Sequence, residues 1–225
     1  MSRLDNKSTI VEKSAEWAHK ECTVKGCTNK RMGVSRYCKR HYYHVSYFGH
    51  PDGRKIRPKE YSLERAKADI IIDNNLDNEA IQWGIGYFDR WLQNATEDIP
   101  GIMGADYMAR MAEEGVTGKV LLREALAMMI FYERYPDVIP TNEGPEPLQI
   151  ALALAVMLYR VQPHHGGVVH RNHVKLSRPE RRTIGQQLWM DLGKLLVQVS
   201  RAVIKDDRKK EGKLEAAKHI QVVSE

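Results

Sequence analysis

Beyond residue 61, apolar side chains recur with the period of an α-helix. Leu63, Ala66, Ile70 and Ile71 form one such set, and Ile81, Ile85, Phe88 and Leu92, with Trp91 beside them, form a second. The Asn74–Asn78 stretch between them reads as a turn, with Asn78 placed to cap the second helix. Pro100-Gly101 breaks the chain before a short helix near Asp106–Glu113. Thr117 stands where a cap is needed for a strongly apolar helix over roughly Lys119–Arg134, which Pro136 terminates. Residues 136–147 carry four prolines and read as a loop. The run PLQIALALAVMLYR that follows is apolar on every side, which predicts a central buried helix ended by Pro163. After a Gly/His-rich loop, Ser177, Pro179 and Glu180 carry the signature of a helix start. That last helix is long and turns Leu188, Leu192, Leu195, Leu196, Val199 and Val203 to one side. The expected buried centre is Leu121, Leu122, Met129, Leu152, Leu154, Met157, Leu188, Leu192 and Leu195. No strand-like alternation follows residue 60, so the fold class is mainly α.

The N-terminal quarter is different. Ser8 to about His19 can form a short helix with Ile10, Val11 and Trp17 on its apolar side. Residues 20–59 are too polar and too short to bury a core, so they need another staple. The chain therefore divides into a small N-terminal module, residues 1–60, and a multi-helix domain, residues 61–225.

The staple is visible in the cysteines. All three fall in this module, as Cys22, Cys27 and Cys38, with His41 three positions after the last. Zinc takes four soft or borderline ligands in a tetrahedron, and close-spaced pairs supply two corners each. The spacing C-x4-C-x10-C-x2-H answers that demand. Gly26 allows a sharp turn before Cys27, and Cys38 and His41 share a face if KRHYYHVSYF is helical. His44 is a substitute or fifth ligand candidate and His19 a weaker one. The competing reading is three buried free thiols and an unrelated His.

The segment ECTVKGCTNKRMGVSRYCKRHYYHVSYFGHPDG resembles a short zinc module, C-x-V-x-G-C…G…(L/Y)-C-x-x-H-Y…G-x-P, of phage and mobile-element proteins. Val24, Gly26, Gly33, Tyr42, Gly49 and Pro51 match along with the four ligand positions. The match covers about residues 21–53, under one-sixth of the chain. In that group the module often precedes an HNH endonuclease domain or stands in a small DNA-binding protein. The resemblance implies a bound Zn²⁺ and a DNA-linked role such as transcription regulation or DNA processing.

Charge adds a partner class. Residues 1–60 carry 14 Lys/Arg against 6 Asp/Glu, residues 61–150 carry 7 against 16, and residues 151–225 carry 14 against 7. Such segregation suggests a polyanion-facing surface at both ends, or basic ends that pair with the acidic middle. Residues 20–59 alone hold 11 Lys/Arg and 2 acids, interleaved with tyrosines. Cations neutralise phosphates and tyrosines stack on unpaired bases. The expected nucleic-acid contacts are Lys30, Arg31, Arg36, Lys39, Arg40, Tyr43, Arg54 and Lys55, with RKIRPKE as a flexible arm. Arg178, Arg181 and Arg182 at the start of the long helix form a second patch. The expectation is a non-catalytic, zinc-containing nucleic-acid-binding protein, DNA favoured and single strands included.

Two other function classes stay open. A divergent HNH-like nuclease would use the loop His164, His165, His170, Asn172 and His173, but that loop has no carboxylate and helical surroundings. Alternatively the helical domain is an interaction or homo-oligomeric scaffold and the zinc only staples the N-terminus. Gly84 and Gly86 lie within a helical pattern, which points to close helix packing rather than a dinucleotide loop. The longest uncharged apolar stretch, Leu148 to Tyr159, is about half of the ~20 residues a membrane span needs. The N-terminal MSRLDNKSTIVEKS has no apolar signal region. Three cysteines exclude a disulfide framework. A cytoplasmic location, the host cytoplasm if the protein is viral, is the expectation.

Overall fold

The computed structural model describes residues 19–97, 104–157 and 177–223, with backbone alone for 212–223. The helix expected before His19, the break at Pro100-Gly101 and the loop holding His164–His173 lie outside the described residues. What is described is helical: α1 (Lys39–Phe48), α2 (Ser62–Asp73), α3 (Glu79–Thr96), α4 (Ala105–Glu113), α5 (Gly118–Arg134), α6 (Glu146–Met157) and α7 (Arg178–Val223). Short 3-10 turns at Pro58–Tyr61 and Pro136–Val138 precede α2 and follow α5. An isolated antiparallel bridge between Glu21 and Lys30 is the only β pairing among the described residues. Among those residues no helix is long and apolar enough to cross a membrane.

The chain divides into two compact units, Met1–Lys55 with Pro140–Pro147, and Ile56–Ile139 with Leu148–Glu225. The boundary differs from the expected 60/61 for a simple reason. Ile56 and Tyr61 are buried in the core of the helical unit, and the Tyr61 hydroxyl reaches Glu124 Oε2 at 3.3 Å. Arg57 N–H donates to Glu60 Oε1 at 2.7 Å, closing the 3-10 turn. RKIRPKE is thus anchored at Ile56 and folded after it, not a flexible arm. Within the first unit, Pro140–Pro147 joins because Gly49 packs closely on Glu146 and Pro147. A Cβ there would stand 3.1 Å from the Pro147 nitrogen.

In the helical unit, two of the three predicted N-caps make the bonds expected of them, while the stop expected at Pro163 lies outside the described residues. Asn78 Oδ1 accepts from Ala80 N–H at 2.9 Å and from Ile81 N–H at 3.4 Å. Ser177 and Glu180 cap each other: Ser177 N–H donates to Glu180 Oε2 at 2.6 Å, and Glu180 N–H donates to Ser177 Oγ at 3.3 Å. That reciprocal pair satisfies two donors of the first turn of α7. Thr117 occupies the cap position of α5 but its side chain makes no cap bond. Asp89 of α3 takes that role, accepting from Gly118 N–H at 2.6 Å. The approach needs a glycine, since a Cβ at 118 would fall 2.2 Å from the Ile85 carbonyl oxygen.

The core is built as the periodicity of α3, α5, α6 and α7 dictates. Leu121, Leu122, Met129, Leu152, Met157, Leu188 and Leu192 are buried. Leu154 and Leu195 are only half-buried, and Leu196 takes the inward place on α7. Gly84 lets α3 approach both α5 and α7, because a Cβ there would meet Leu122 at 3.1 Å and Leu195 at 3.2 Å.

Helix α2 presents a different face from the one its apolar residues suggest. Leu63 is 70% and Ile70 60% exposed, while Glu64, Ala68 and Ile72 point inward. The cause is ionic. Arg134 Nη1 donates to Glu64 Oε1 at 2.6 Å and its other nitrogen pairs with Asp207, which also pairs with Lys67. Buried Glu124 accepts from Arg65 Nη2 at 2.6 Å and Arg123 Nη2 at 2.8 Å. Burial and the adjacent Glu124 carboxylate push the Tyr61 hydroxyl well above its usual pKa, so it remains a donor. A buried carboxylate is tolerated only when it is paired in this way. That requirement fixes the rotation of α2.

Candidate metal centre

Local backbone geometry brings the four predicted ligands together. Cys22 and its neighbours are held by Cys22 N–H to Asn29 O at 2.9 Å and Arg31 N–H to Lys20 O at 3.0 Å, around the Glu21–Lys30 bridge. Between those rungs the chain makes a knuckle, in which Cys27 N–H donates to Val24 O at 3.0 Å. Gly26 occupies the left-handed region there, φ 77°, a conformation that costs other residues dearly. Cys38 is the N-cap residue of α1, so His41 stands one turn into the helix and on the same side.

The donor atoms converge. His41 Nδ1 lies 3.3 Å from Cys22 Sγ and 3.5 Å from Cys38 Sγ, and Cys27 Sγ lies 3.9 Å from Cys38 Sγ. All four donor atoms fall within 4.8 Å of one another. A tetrahedral ion with metal–sulfur bonds of about 2.3 Å and metal–nitrogen bonds of about 2.0–2.1 Å needs edges of about 3.8 and 3.6 Å. The His41–Cys22, His41–Cys38 and Cys27–Cys38 edges match those within a few tenths of an ångström, and the remaining edges are no longer than 4.8 Å. A disulfide would need sulfurs about 2.05 Å apart, and all three cysteines are free. The group can hold a metal ion, and the reading of three unrelated thiols and a stray His is set aside by this convergence.

One thiol of the group, Cys22, is already biased for ligation. Burial raises the Cys22 thiol, yet backbone N–H groups of Cys38 and Val24, with the His41 and Cys27 side chains, bring it down to about 6. Cys38 is pushed up, by burial first and then by the Cys27 and Cys22 sulfurs beside it. Accumulating negative sulfur in one pocket is costly until a cation neutralises it.

Support around the site comes from residues the ligand spacing does not reveal. Asn29 Nδ2 donates to Cys27 Sγ at 3.6 Å. The His44 ring stands edge-on to His41 with centroids 6.2 Å apart, while its Nδ1 lies 3.0 Å from the Pro51 carbonyl oxygen. His44 therefore buttresses His41 and is no ligand, and His19 also lies outside the cluster. Asn29 could have been suspected only from its position two residues after Cys27. Around the sulfurs the apolar packing is slight, with Tyr37, Cys22 and Cys38 buried and Val24, Cys27, Tyr42 and Val45 partly so.

The cations expected to meet a polyanion sort into two groups. Lys30 Nζ donates to His19 O at 3.1 Å and Arg31 Nε to Glu21 O at 2.8 Å, so both tie down the knuckle. The Arg36 guanidinium lies over the Tyr37 ring at 4.8 Å. Lys39 and Arg40, on the first turn of α1 between Cys38 and His41, are exposed, as are Arg54, Lys55 and Tyr43. In the helical unit Arg178 and Arg181 are half-buried and Arg182 is exposed at the start of α7. Self-pairing of the basic C-terminal segment with the acidic middle occurs at Arg201, whose Nε donates to Glu133 Oε1 at 3.1 Å. No family model, curated protein or solved structure matches this chain.

Proposed function

We propose that this chain is a zinc-containing, non-catalytic nucleic-acid-binding protein of phage or mobile-element type, DNA favoured, regulatory or accessory to DNA processing. The observation that carries the reading is the placement of Lys39 and Arg40. They are exposed and bracketed by two members of the Cys22, Cys27, Cys38 and His41 group, so the ion that staples the module also orients its cations. Zinc is the metal of choice because three thiolates and one imidazole at tetrahedral spacing suit a d¹⁰ ion without geometric preference. Four protein donors leave no open coordination position, which marks a structural rather than a catalytic site.

Lys39, Arg40, Arg54 and Lys55 are the principal phosphate contacts in this reading, with Arg36 held by Tyr37. Lys30 and Arg31 contribute charge from fixed positions. Tyr43, exposed on α1, supplies a stacking surface for an unpaired base. Arg178, Arg181 and Arg182 form the second patch. The test is binding of the zinc-loaded protein to single- and double-stranded DNA and RNA across a salt series. Lys39→Ala/Arg40→Ala should lower affinity and reduce the salt slope by about 0.7–0.9 per lost phosphate contact, with metal content unchanged. Absence of salt-sensitive binding to every form would replace this reading with the interaction-scaffold one. Zinc-dependent strand cleavage lost in His170→Ala would replace it with the nuclease.

A further inference from the structure

The long helix α7 carries a second feature that its sequence periodicity conceals. At about 100° per residue, Lys194, Arg201, Lys205 and Arg208 fall within an arc of about 60° and extend about 21 Å along the axis. All four are exposed. Between 187 and 208 the arc also holds Gln187 and Met190 but no acid, and Gln198 borders it. Asp191 flanks it, already accepting from the Tyr87 hydroxyl and from Gln187 Nε2, each at 2.7 Å. Arg201 is the one member with an ion-pair partner, Glu133 of α5. Among the described residues Lys194, Lys205 and Arg208 form no ion pair. At the C-terminal end of the strip, Glu133, Arg201, Ile204, Lys205 and Arg208 line an open groove of about 290 Å³.

We propose that this strip of α7 is a track for a nucleic-acid backbone, separate from the metal-bearing module. The inference rests on the nucleic-acid reading above. Three unpaired cations spread over about 21 Å match a linear polyanion better than a compact anion. An amphipathic helix on a lipid surface needs an apolar face to insert. The apolar side of α7 up to Ile204 (Ile184, Leu188, Leu192, Leu196 and Ile204) is buried in the helical unit, and among the described side chains of α7 Met190 is the one large apolar residue left exposed. Arg201 contributes position more than charge, since Glu133 neutralises it.

The experiment uses the full-length, zinc-loaded protein and fluorescein-labelled single- and double-stranded oligonucleotides over a salt series. The variants are Lys194→Gln/Lys205→Gln/Arg208→Gln and, in parallel, Lys39→Ala/Arg40→Ala. The α7 variant should lose affinity on the order of a hundredfold at physiological salt, with the slope shallower by about two to three. Circular dichroism should be unchanged, because all three side chains are exposed. A wild-type slope in the α7 variant, alongside a reduced slope in the Lys39/Arg40 variant, overturns the track and leaves the functional reading standing. Failure of the wild-type protein to bind either strand form overturns both. Retained oligonucleotide affinity with lost binding to phosphatidylserine vesicles or to polyglutamate would assign the strip to lipid or acidic protein and also overturn the track.

Discussion

Removing the metal should unfold one unit and spare the other. The N-terminal module buries Tyr37, Cys22 and Cys38 below a tenth of their surface, and four other side chains only partly. At about 1.5–3 kcal/mol per fully buried apolar side chain, that cluster supplies only about 5–9 kcal/mol. A backbone ordered at about 1–2 kcal/mol per residue cannot be held by it over some thirty residues. Zinc ligation in comparable small modules is worth about 10–16 kcal/mol at neutral pH, more than the whole apolar cluster supplies. The helical unit has its own core from Tyr61 to Ile204 and needs no ion. The assay is amide hydrogen exchange before and after chelation. The N–H groups of Cys22, Arg31 and Met32, bonded to Asn29, Lys20 and Tyr37 carbonyls, should exchange freely once the metal is gone. Amides of α5 and α6 should keep their protection. Metal analysis should give one zinc per chain, and Cys27→Ser should bind it far more weakly. Protection of Cys22, Arg31 and Met32 that survives complete metal removal would refute the argument, as would purified protein without zinc.

Other consequences follow from the helical unit. Arg134→Met leaves Glu64 buried and unpaired, so it should cost about 3–5 kcal/mol, read as a drop of roughly 6–20 °C in Tm. Pairing it with Glu64→Leu should restore much of the loss. Gly118→Ala forces a Cβ against the Ile85 carbonyl and should cost about 1–3 kcal/mol in a denaturant titration, whereas Gly86→Ala, whose Cβ would meet only Arg90 at 3.5 Å, should be tolerated. Burial raises the Asp207 carboxyl, but Lys67 and Arg134 outweigh it and hold it below the ordinary carboxylate range. Because its folded value lies below the unfolded value of about 3.9, its stabilisation is complete above that pH and is lost as pH falls through the folded value. Asp207→Asn should therefore flatten the acid limb of a stability–pH curve and leave the shape near pH 7 unchanged.

The candidate metal centre was legible in the sequence because ligand chemistry is written in residue type and spacing. Cys22, Cys27, Cys38 and His41 announce themselves, and Gly26 marks the turn that lets the first two converge. Which cations are tied to backbone carbonyls was not legible, because Lys30 and Arg31 look the same in sequence as Lys39 and Arg40. Only the backbone path shows that the first pair spends its donors on the carbonyls of His19 and Glu21. The strip on α7 escaped notice for a related reason. Lys194, Arg201, Lys205 and Arg208 are interleaved with the leucines that define the helix, and the leucines dominate the periodic signal.

The helical fold was legible wherever one apolar face sufficed, and it misled at α2, where hydrophobicity and ion pairing compete for the same rotation. Turning Leu63 and Ile70 inward would bury two side chains, about 3–6 kcal/mol, while turning out Ala68 and Ile72, which are buried now. It would also carry Glu64 out of reach of Arg134 and strand a charged Arg at the edge of the core. An uncompensated charge at such a place costs several kcal/mol, so the two orientations are close in energy and the network tips the choice. Buried Glu64, paired across seventy residues of sequence with Arg134 and through it with Asp207, is a long-range contact that no local period encodes. The same competition explains why α5, with Glu124 and Arg134 among its apolar residues, is the helix on which the others are registered. It supplies both a long buried apolar surface and the charges that must be met, and a neighbour packs against it only in the rotation that answers both.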